Sequence, residues 1–415
     1  MPAIVSNITT PVLGLVDVAI VGHIGAAAYI GAIAVGSTMF NMLYWLFGFL
    51  RMGTAGLTSQ SCGAGDFHAS SAHLRRALFI SCCIALLLIV FSGPLGYVAL
   101  DFLDADDATA PLARRYFSIA ILGAPAVLGT YVMNGWLLGM QNTRTPMFVA
   151  IATNIVNIAV SATLVFVFKF KIEGVAIGTT FAQWFGFLCA IRLVWHRYHP
   201  EHVCFKDIIQ RRKLARLFKL NFDIFLRTLC LVAVTAWFTR AGAEQGVGIL
   251  AANAVLMQMF MFFSYFTDGF AFAGEALAGK HFGAGQHDML LAVVRRLLVW
   301  GAWLALGFTV LYFVGGELIV KMLTDDHAVI NTAREFLPWA VGIPLCGTLA
   351  FLYDGVFVGL TLTRRMLVSL LAGMVVFFAL YFILRSSIGN HALWLAFLGY
   401  LLVRGLALHF LFKRR

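Results

Sequence analysis

The sequence predicts an all-α polytopic membrane protein, with twelve transmembrane helices in two six-helix bundles related by a pseudo-twofold axis. Three observations carry that expectation: an apolar composition, the spacing of the apolar runs, and an internal duplication. Of the 415 residues, 61% are hydrophobic and only 12% are charged, and the mean hydropathy is +0.88. A soluble domain averages roughly 45–50% apolar and about 25% charged residues. A fold of this size that faced water would still need a polar exterior, which this composition cannot furnish. Disordered chains, secreted disulfide scaffolds and ordinary cytosolic enzymes are excluded. The seven Cys lie mostly inside apolar runs (Cys82, Cys83, Cys189, Cys230, Cys346) and form no C-x-x-C pair. They read as small packing thiols.

A helix needs roughly 20 apolar residues to cross the bilayer core. Long apolar runs, interrupted by Gly, Pro and charge, give spans near 2–21, 29–50, 73–100, 113–138, 147–168, 173–195, 216–239, 247–272, 289–314, 331–358, 366–386 and 391–411. The first run lacks a basic leader and reads as a span, not a cleaved signal. Basic loops stay cytoplasmic. With both termini inside, nineteen Lys/Arg fall in inside segments and eight in outside segments, and Arg192, Arg227 and Arg404 lie within spans. The acidic loop Asp101, Asp104, Asp106, Asp107 falls outside. The net charge of +11 is thereby a matter of topology and calls for no nucleic acid.

The duplication appears at an offset of 220. Arg75-Arg76-Ala77-Leu78 returns as Arg295-Arg296-Leu297-Leu298, and Gly63-Ala64-Gly65 returns as Gly283-Ala284-Gly285. Ala32, Ala34, Val35, Met39 and Phe40 return as Ala252, Ala254, Val255, Met259 and Phe260. NGWLLGMQNTR (134–144) matches DGVFVGLTLTR (354–364) at both glycines, the Thr and the Arg. One constant offset over four segments divides the chain into a first lobe (1–195), a basic cytoplasmic linker (196–215) and a second lobe (216–415). Six spans per repeat give the lobes one orientation and an axis along the membrane normal. Transporters of this plan alternate access by rocking their halves around a site.

Several motifs tempt and fail. Gly274-Glu-Ala-Leu-Ala-Gly279-Lys280 is one residue short of a phosphate-binding loop, has His281 where Ser/Thr is required, and follows a membrane helix instead of a strand. No nucleotide is expected. Tyr353-Asp354 with Gly63-x-Gly65-Asp66 imitates an intramembrane aspartyl protease, but in reversed order, and the repeat copy of Asp66 is Gln286. His196, His199, His202 and Cys204 have ligand chemistry, yet Pro200 breaks the helix that would align them. No metal, no cofactor and no catalytic constellation is expected, so the chain does not read as an enzyme.

Charged groups within spans carry the functional expectation, since a mid-bilayer carboxylate costs about 2.5–3.5 kcal/mol on insertion scales. Asp17 shares a face of span 1 with Asn7, Thr10 and Gly14. Span 5 carries Asn154, Asn157 and Ser161 on one face, and span 6 opens with Gly174-Val-Ala-Ile-Gly-Thr179. Together they suit an oxygen-lined pocket in which burial disfavours the Asp17 anion, so that H⁺ or Na⁺ would neutralise it. The alternative is a purely structural Asp17, hydrogen-bonded to neighbouring helices. In the second lobe, Arg227, Asp268, Glu275 and Asp354 are the polar candidates, with Asp223 beside Arg227 on span 7. An Arg227–Asp268 or Arg227–Glu275 ion pair that holds the bundle together competes there with a transport role. Asp354 aligns with Asn134 in the repeat, so the fold does not require that carboxylate. The run MFMFFSYFTDGFAF (259–272) adds aromatic groups that would suit flat cationic substrates.

These segments together resemble the multidrug and toxic compound extrusion (MATE) family, in its DinF-like branch. The carriers are PAIVSNITTPVLGLVDVAIVGHIG (2–25), GLTSQSCGAGD (56–66), LLGMQNTRTP (137–146), TNIVNIAVS (153–161), EGVAIGTTFAQ (173–183), DGFAFAGEALAGKHFGAG (268–285) and DGVFVGLTLTR (354–364). The resemblance implies two bundles forming a V-shaped cleft and H⁺- or Na⁺-driven export of organic, often cationic, compounds by a monomer of the inner (plasma) membrane. It places the family's span-1 carboxylate on Asp17 and its partners on Asn157 and Thr179. A second Asp that the family often carries on span 5 is Ser161 here, which weakens a Na⁺ site. The family's span-1 proline falls on Pro2, fifteen residues before Asp17, where the expected bend would lack the preceding turn. The competing readings are a lipid-linked saccharide flippase, which needs a cationic cleft, and a membrane enzyme, which needs a convergent nucleophile or metal set.

Overall fold

The computed structural model describes residues 27–102, 106 and 109–414, and every regular element among them is helical. Ten helices among these residues are long and apolar enough to cross a membrane. By contacts the chain divides into two units, Met1–Phe218 and Lys219–Arg415.

In the first unit, α1 (Ala27–Leu46) and α2 (Phe49–Gly63) are one run interrupted at Phe47–Gly48, where Phe47 N–H donates to Tyr44 O at 3.0 Å and Gly48 N–H to Trp45 O at 3.1 Å. Gly65 turns the chain at φ +70°, a backbone region that costs glycine nothing. Asp66 then caps α3 (Phe67–Val90), accepting from Ala69 N–H at 2.8 Å. After α4 (Ser92–Phe102), α5 (Ala110–Ala120) passes through a single 3₁₀ turn, Ile121–Gly123, into α6 (Ala124–Gly139). The Asn142 side chain caps α7 (Arg144–Ala162), accepting from Arg144 N–H and Thr145 N–H at 3.2 and 3.1 Å. α7 finishes in a π-helical turn, Thr163–Val167, and α8 (Ile172–Tyr198) ends at His199 with φ +44°.

The basic segment that follows lies against the first unit. Its short helix α9 (Phe205–Ile208) joins Val203 and Ile208 to Ala72 of α3 in a small buried cluster. α10 (Arg211–Ala243) carries the chain across the boundary between the units. In the second unit follow α11 (Val247–Gly283), α12 (His287–Leu323), α13 (His327–Gly359), α14 (Thr363–Ile388) and α15 (Asn390–Lys413).

Span positions agree with the apolar runs, while several ends do not. α11 continues to Gly283, eleven residues past the expected end, and at 1.5 Å per residue its 37 residues reach about 56 Å. A helix satisfies its own backbone and does not stop at the edge of the hydrocarbon; it stops where a breaker such as Gly283-Ala284-Gly285 appears. The expected first span, 2–21, lies outside the described residues.

The units are built alike. On α6, a Cβ at Gly135 would overlap the Arg51 carbonyl and one at Gly139 would crowd the Ala55 carbonyl of α2. On α13, Gly355 stands in the same way over Ala271 O and Gly359 over Glu275 O of α11. All four pairs differ by the repeat offset, as do Gly65 and Gly285 (φ +70° and +69°) and Gln141 and Thr361 (φ +62° and +54°). Small residues let membrane helices approach backbone to backbone, where dispersion replaces the missing hydrophobic drive. Outward faces are apolar, as lipid requires: Val90, Phe313 and Val314 are each more than 70% exposed. The second unit's core is aromatic, with Phe238 edge-on to Trp394 at 5.0 Å and Phe263 against Phe308 at 5.5 Å. Asn253 and Asn390 exchange amide hydrogen bonds at 2.9 Å in both directions inside it.

Candidate functional site

Among the described residues, each unit holds a polar cluster of candidate residues inside its apolar body. In the first unit, Asn157 on α7 is 1% exposed and donates through Nδ2 to Thr179 Oγ1 of α8 at 3.0 Å. Ser161, one turn further along α7, is fully buried. A Cβ on Gly178 would collide with its Oγ, so glycine is what lets α8 close on this hydroxyl. Asn157 Oδ1 and Ser161 Oγ are buried with no hydrogen-bond partner among the described residues. An unpartnered buried oxygen costs about 1–3 kcal/mol, and such a pair on one helix face is a ready acceptor for a proton donor or a cation. Asn154 lies half-buried on the same helix. The structure thus brings Asn157, Ser161 and Thr179 together; Asp17 lies outside the described residues. The π-helical turn directly after this segment is a feature often found at functional sites.

The second unit's cluster joins three helices. Arg227 of α10 and Arg404 of α15 both donate through Nη2 to Oδ2 of Asp354 on α13, and all three residues are less than 9% exposed. Arg404 also lies over the Phe351 ring at 5.9 Å. Asp268 acts electrostatically on both arginines. Glu275, two turns along α11 from Asp268, is 1% exposed. Beside the cluster, Thr363 Oγ1 donates to Asp223 Oδ2 at 3.0 Å. Asp354 thus accepts directly from Arg227, a carboxylate that the sequence does not pair with it, while the expected Asp268 acts on the same guanidinium. The repeat alignment with Asn134 makes Asp354 look dispensable from sequence, and Arg404 is hidden by the otherwise apolar run it interrupts. That interruption is its signal: a membrane-buried cation requires a counter-charge.

The aromatic run of 259–272 is divided between core and outer surface. Met259 and Phe263 are buried among Phe308, Tyr312 and Phe351, whereas Met261 and Phe262 are 40% and 46% exposed. Helical periodicity turns every third or fourth ring inward, so the run does not present one continuous aromatic face. The Gly274–Lys280 motif lies within α11, with no strand or loop to cradle a phosphate. Asp66 is an exposed helix cap.

A model of the MatE family matches the chain twice, over residues 2–163 and 221–383. DNA damage-inducible protein F of Escherichia coli (strain K12) is 36% identical over 416 residues, covering 100% of this chain and 90% of that protein. A probable multidrug resistance protein, NorM of Photorhabdus laumondii, is 22% identical, covering 81% of this chain and 75% of its own length. Among solved structures, the Vibrio cholerae MATE transporter VcmN in its bent form superposes with a TM-score of 0.88 at 17% identity, covering 100% of this chain and 94% of that one. At that identity the likeness is one of fold.

Proposed function

From the premise that the chain belongs to the MatE family of multidrug and toxic compound efflux transporters, which are not enzymes, we propose that it is a secondary antiporter. It exports organic, often cationic, compounds in exchange for H⁺, or alternatively Na⁺, by alternating access between its two halves. Asp17 takes the coupling ion. Outward-facing protein binds H⁺ there, which rearranges the first span and weakens substrate binding. Inward-facing protein releases the proton and reloads.

The observation that carries this reading is the buried pair of open acceptors, Asn157 Oδ1 and Ser161 Oγ, beside the Asn157–Thr179 bond. A protonated Asp17 carboxyl would have an acceptor there. Ser161 contributes no negative charge, so the set favours a proton over Na⁺, which needs anionic oxygens to offset its dehydration. Each proton moving with the field supplies about 2.3 kcal/mol per 100 mV, enough to drive export uphill. The protein acts as a monomer in the inner (plasma) membrane, with its basic segments and both termini on the cytoplasmic side.

A lipid-linked saccharide flippase would need free positive charge for a diphosphate. Among the described residues, the arginines buried within the apolar spans named above, Arg227 and Arg404, both already converge on Asp354, and the buried Arg76 is taken by the Asp207 carbonyl. The test is efflux of a fluorescent organic cation from proteoliposomes under separately imposed pH and Na⁺ gradients. Efflux driven by the pH gradient supports H⁺ antiport, and efflux driven by Na⁺ alone transfers the coupling role to that ion. Efflux under neither overturns the antiporter reading in favour of the flippase.

A further inference from the structure

The repeat places an arginine pair near the start of α3 and again near the start of α12, and the structure treats the two pairs differently. In the first unit, Arg76 is 3% exposed and donates through Nε and Nη2 to the Asp207 carbonyl at 3.2 and 3.0 Å. Arg75 Nη2 donates to the Glu201 carbonyl at 3.1 Å, and Ser71 Oγ accepts from Glu201 N–H at 3.1 Å. The pair is thus a built oxygen-binding device, and the linker occupies it.

In the second unit, the equivalent Arg295 and Arg296 are exposed and have no ion-pair or hydrogen-bond partner among the described residues. Arg295 borders a groove of about 410 Å³ that α12 forms with Tyr353 of α13 and His409, Phe412 and Lys413 of α15, and Arg295 and Arg296 border an adjoining depression of about 480 Å³ on α12 beside Trp300. The walls are otherwise apolar: Leu291 and Val299, shared by both, are 56% and 51% exposed, and Trp300 of the depression is 63% exposed. Arg295 lies in both linings, with Lys413 on the side of the groove and Arg296 on the side of the depression, and neither lining carries a carboxylate. His409, the remaining polar ring, is held by Tyr353 OH at 2.7 Å.

Two guanidiniums and an ammonium next to the apolar Val299 and Trp300 on a membrane-spanning helix match one chemistry, a phosphodiester carrying a hydrocarbon tail. Guanidinium binds phosphate oxygens through a planar fork. Basic pockets between transmembrane helices take acidic lipid head groups. We propose that these adjoining hollows bind an anionic phospholipid of the surrounding leaflet, its phosphate held at Arg295 with Arg296 and Lys413 on either side and an acyl chain lying along Val299 and Trp300. In the first unit the linker's backbone carbonyls take the place of that phosphate. The inference rests on the membrane-spanning fold and not on the transport reading.

The test uses the full chain, purified in detergent, with retained lipid counted by native mass spectrometry in micelles doped with phosphatidylglycerol or phosphatidylcholine. Wild type should retain phosphatidylglycerol in preference. The Arg295→Gln/Arg296→Gln double variant should lose about thirtyfold in that affinity, at roughly a fivefold loss per surface-proximal basic residue. Lys280→Gln/Arg364→Gln removes the same charge outside the groove and should retain phosphatidylglycerol as wild type does. Equal loss in both variants, or equal retention of the two lipids by wild type, overturns the proposal. So does stabilisation by inorganic phosphate equal to that by phosphatidylglycerol, because the tail would then add nothing. A photoactivatable phosphatidylglycerol on the wild-type protein tests the site without mutation: label within 291–300 is expected, and label confined elsewhere overturns it.

Discussion

The most informative single substitution is Asp354→Asn. One carboxylate oxygen there receives both Arg227 and Arg404, each almost without solvent. The exchange removes the charge and keeps the shape, and the first unit shows that Asn is sterically acceptable, because Asn134 stands at the equivalent position. What remains is two buried guanidiniums in the field of Asp268. Breaking a buried pair by removing one partner costs about 3–5 kcal/mol, because the other charge is left uncompensated. For a unit of this size that corresponds to a fall in melting temperature on the order of 10 °C. The assay is thermal unfolding of the purified protein in detergent, and the decisive comparison is with the double variant Asp354→Asn/Arg404→Met. Removing the second cation restores one cation against one anion, so the double variant should recover at least half of the lost stability. A single variant within about 0.5 kcal/mol of wild type, a change no larger than an ordinary surface substitution makes, would show that Asp354 does not hold the two cations. So would additive losses in the double variant.

Gly355→Ala and Gly135→Ala should each destabilise by about 1–3 kcal/mol or more, because the new methyl lands on a backbone carbonyl of the facing helix. Gly307→Ala, with nothing within 4 Å, should be neutral or slightly stabilising in the same melting experiment. Asn157→Ala should reduce gradient-driven efflux at least tenfold while shifting stability by about 1 kcal/mol, since it removes one hydrogen bond and one open acceptor. Arg76→Gln should release the linker and speed limited trypsin cleavage at Lys206–Lys213 roughly tenfold, read by gel; an unchanged rate would show that the two bonds to Asp207 O do not hold it.

Much of this architecture is legible in the sequence because its causes are local. A span must be apolar along its length, and a duplicated body repeats its glycines at one offset, so Gly135, Gly139, Gly355 and Gly359 stand out as paired positions from the repeat alone. Helix ends are less legible. α11 runs past the expected boundary because helix termination depends on a breaker, not on the edge of the bilayer. The hydrogen-bonded ion pair is less legible: Arg227 meets Asp354 127 residues away, and nothing in local spacing points to that carboxylate. The anchoring of the linker escapes for a related reason. Its acceptors are the carbonyls of Glu201 and Asp207, and a carbonyl carries no residue signature. In the first unit, Asn157, Ser161 and Thr179 follow from their one-face spacing and from the family resemblance. Their acceptors, open among the described residues, emerge only from packing.

If Asp17 couples an ion gradient to export, as proposed, replacing it separates two modes of transport in one variant. Proteoliposomes carrying Asp17→Asn should still exchange labelled for unlabelled organic cation down its own gradient. They should fail to accumulate or expel it in response to an imposed pH gradient, whereas wild type does both. Gradient-driven export by Asp17→Asn at the wild-type rate would contradict the account.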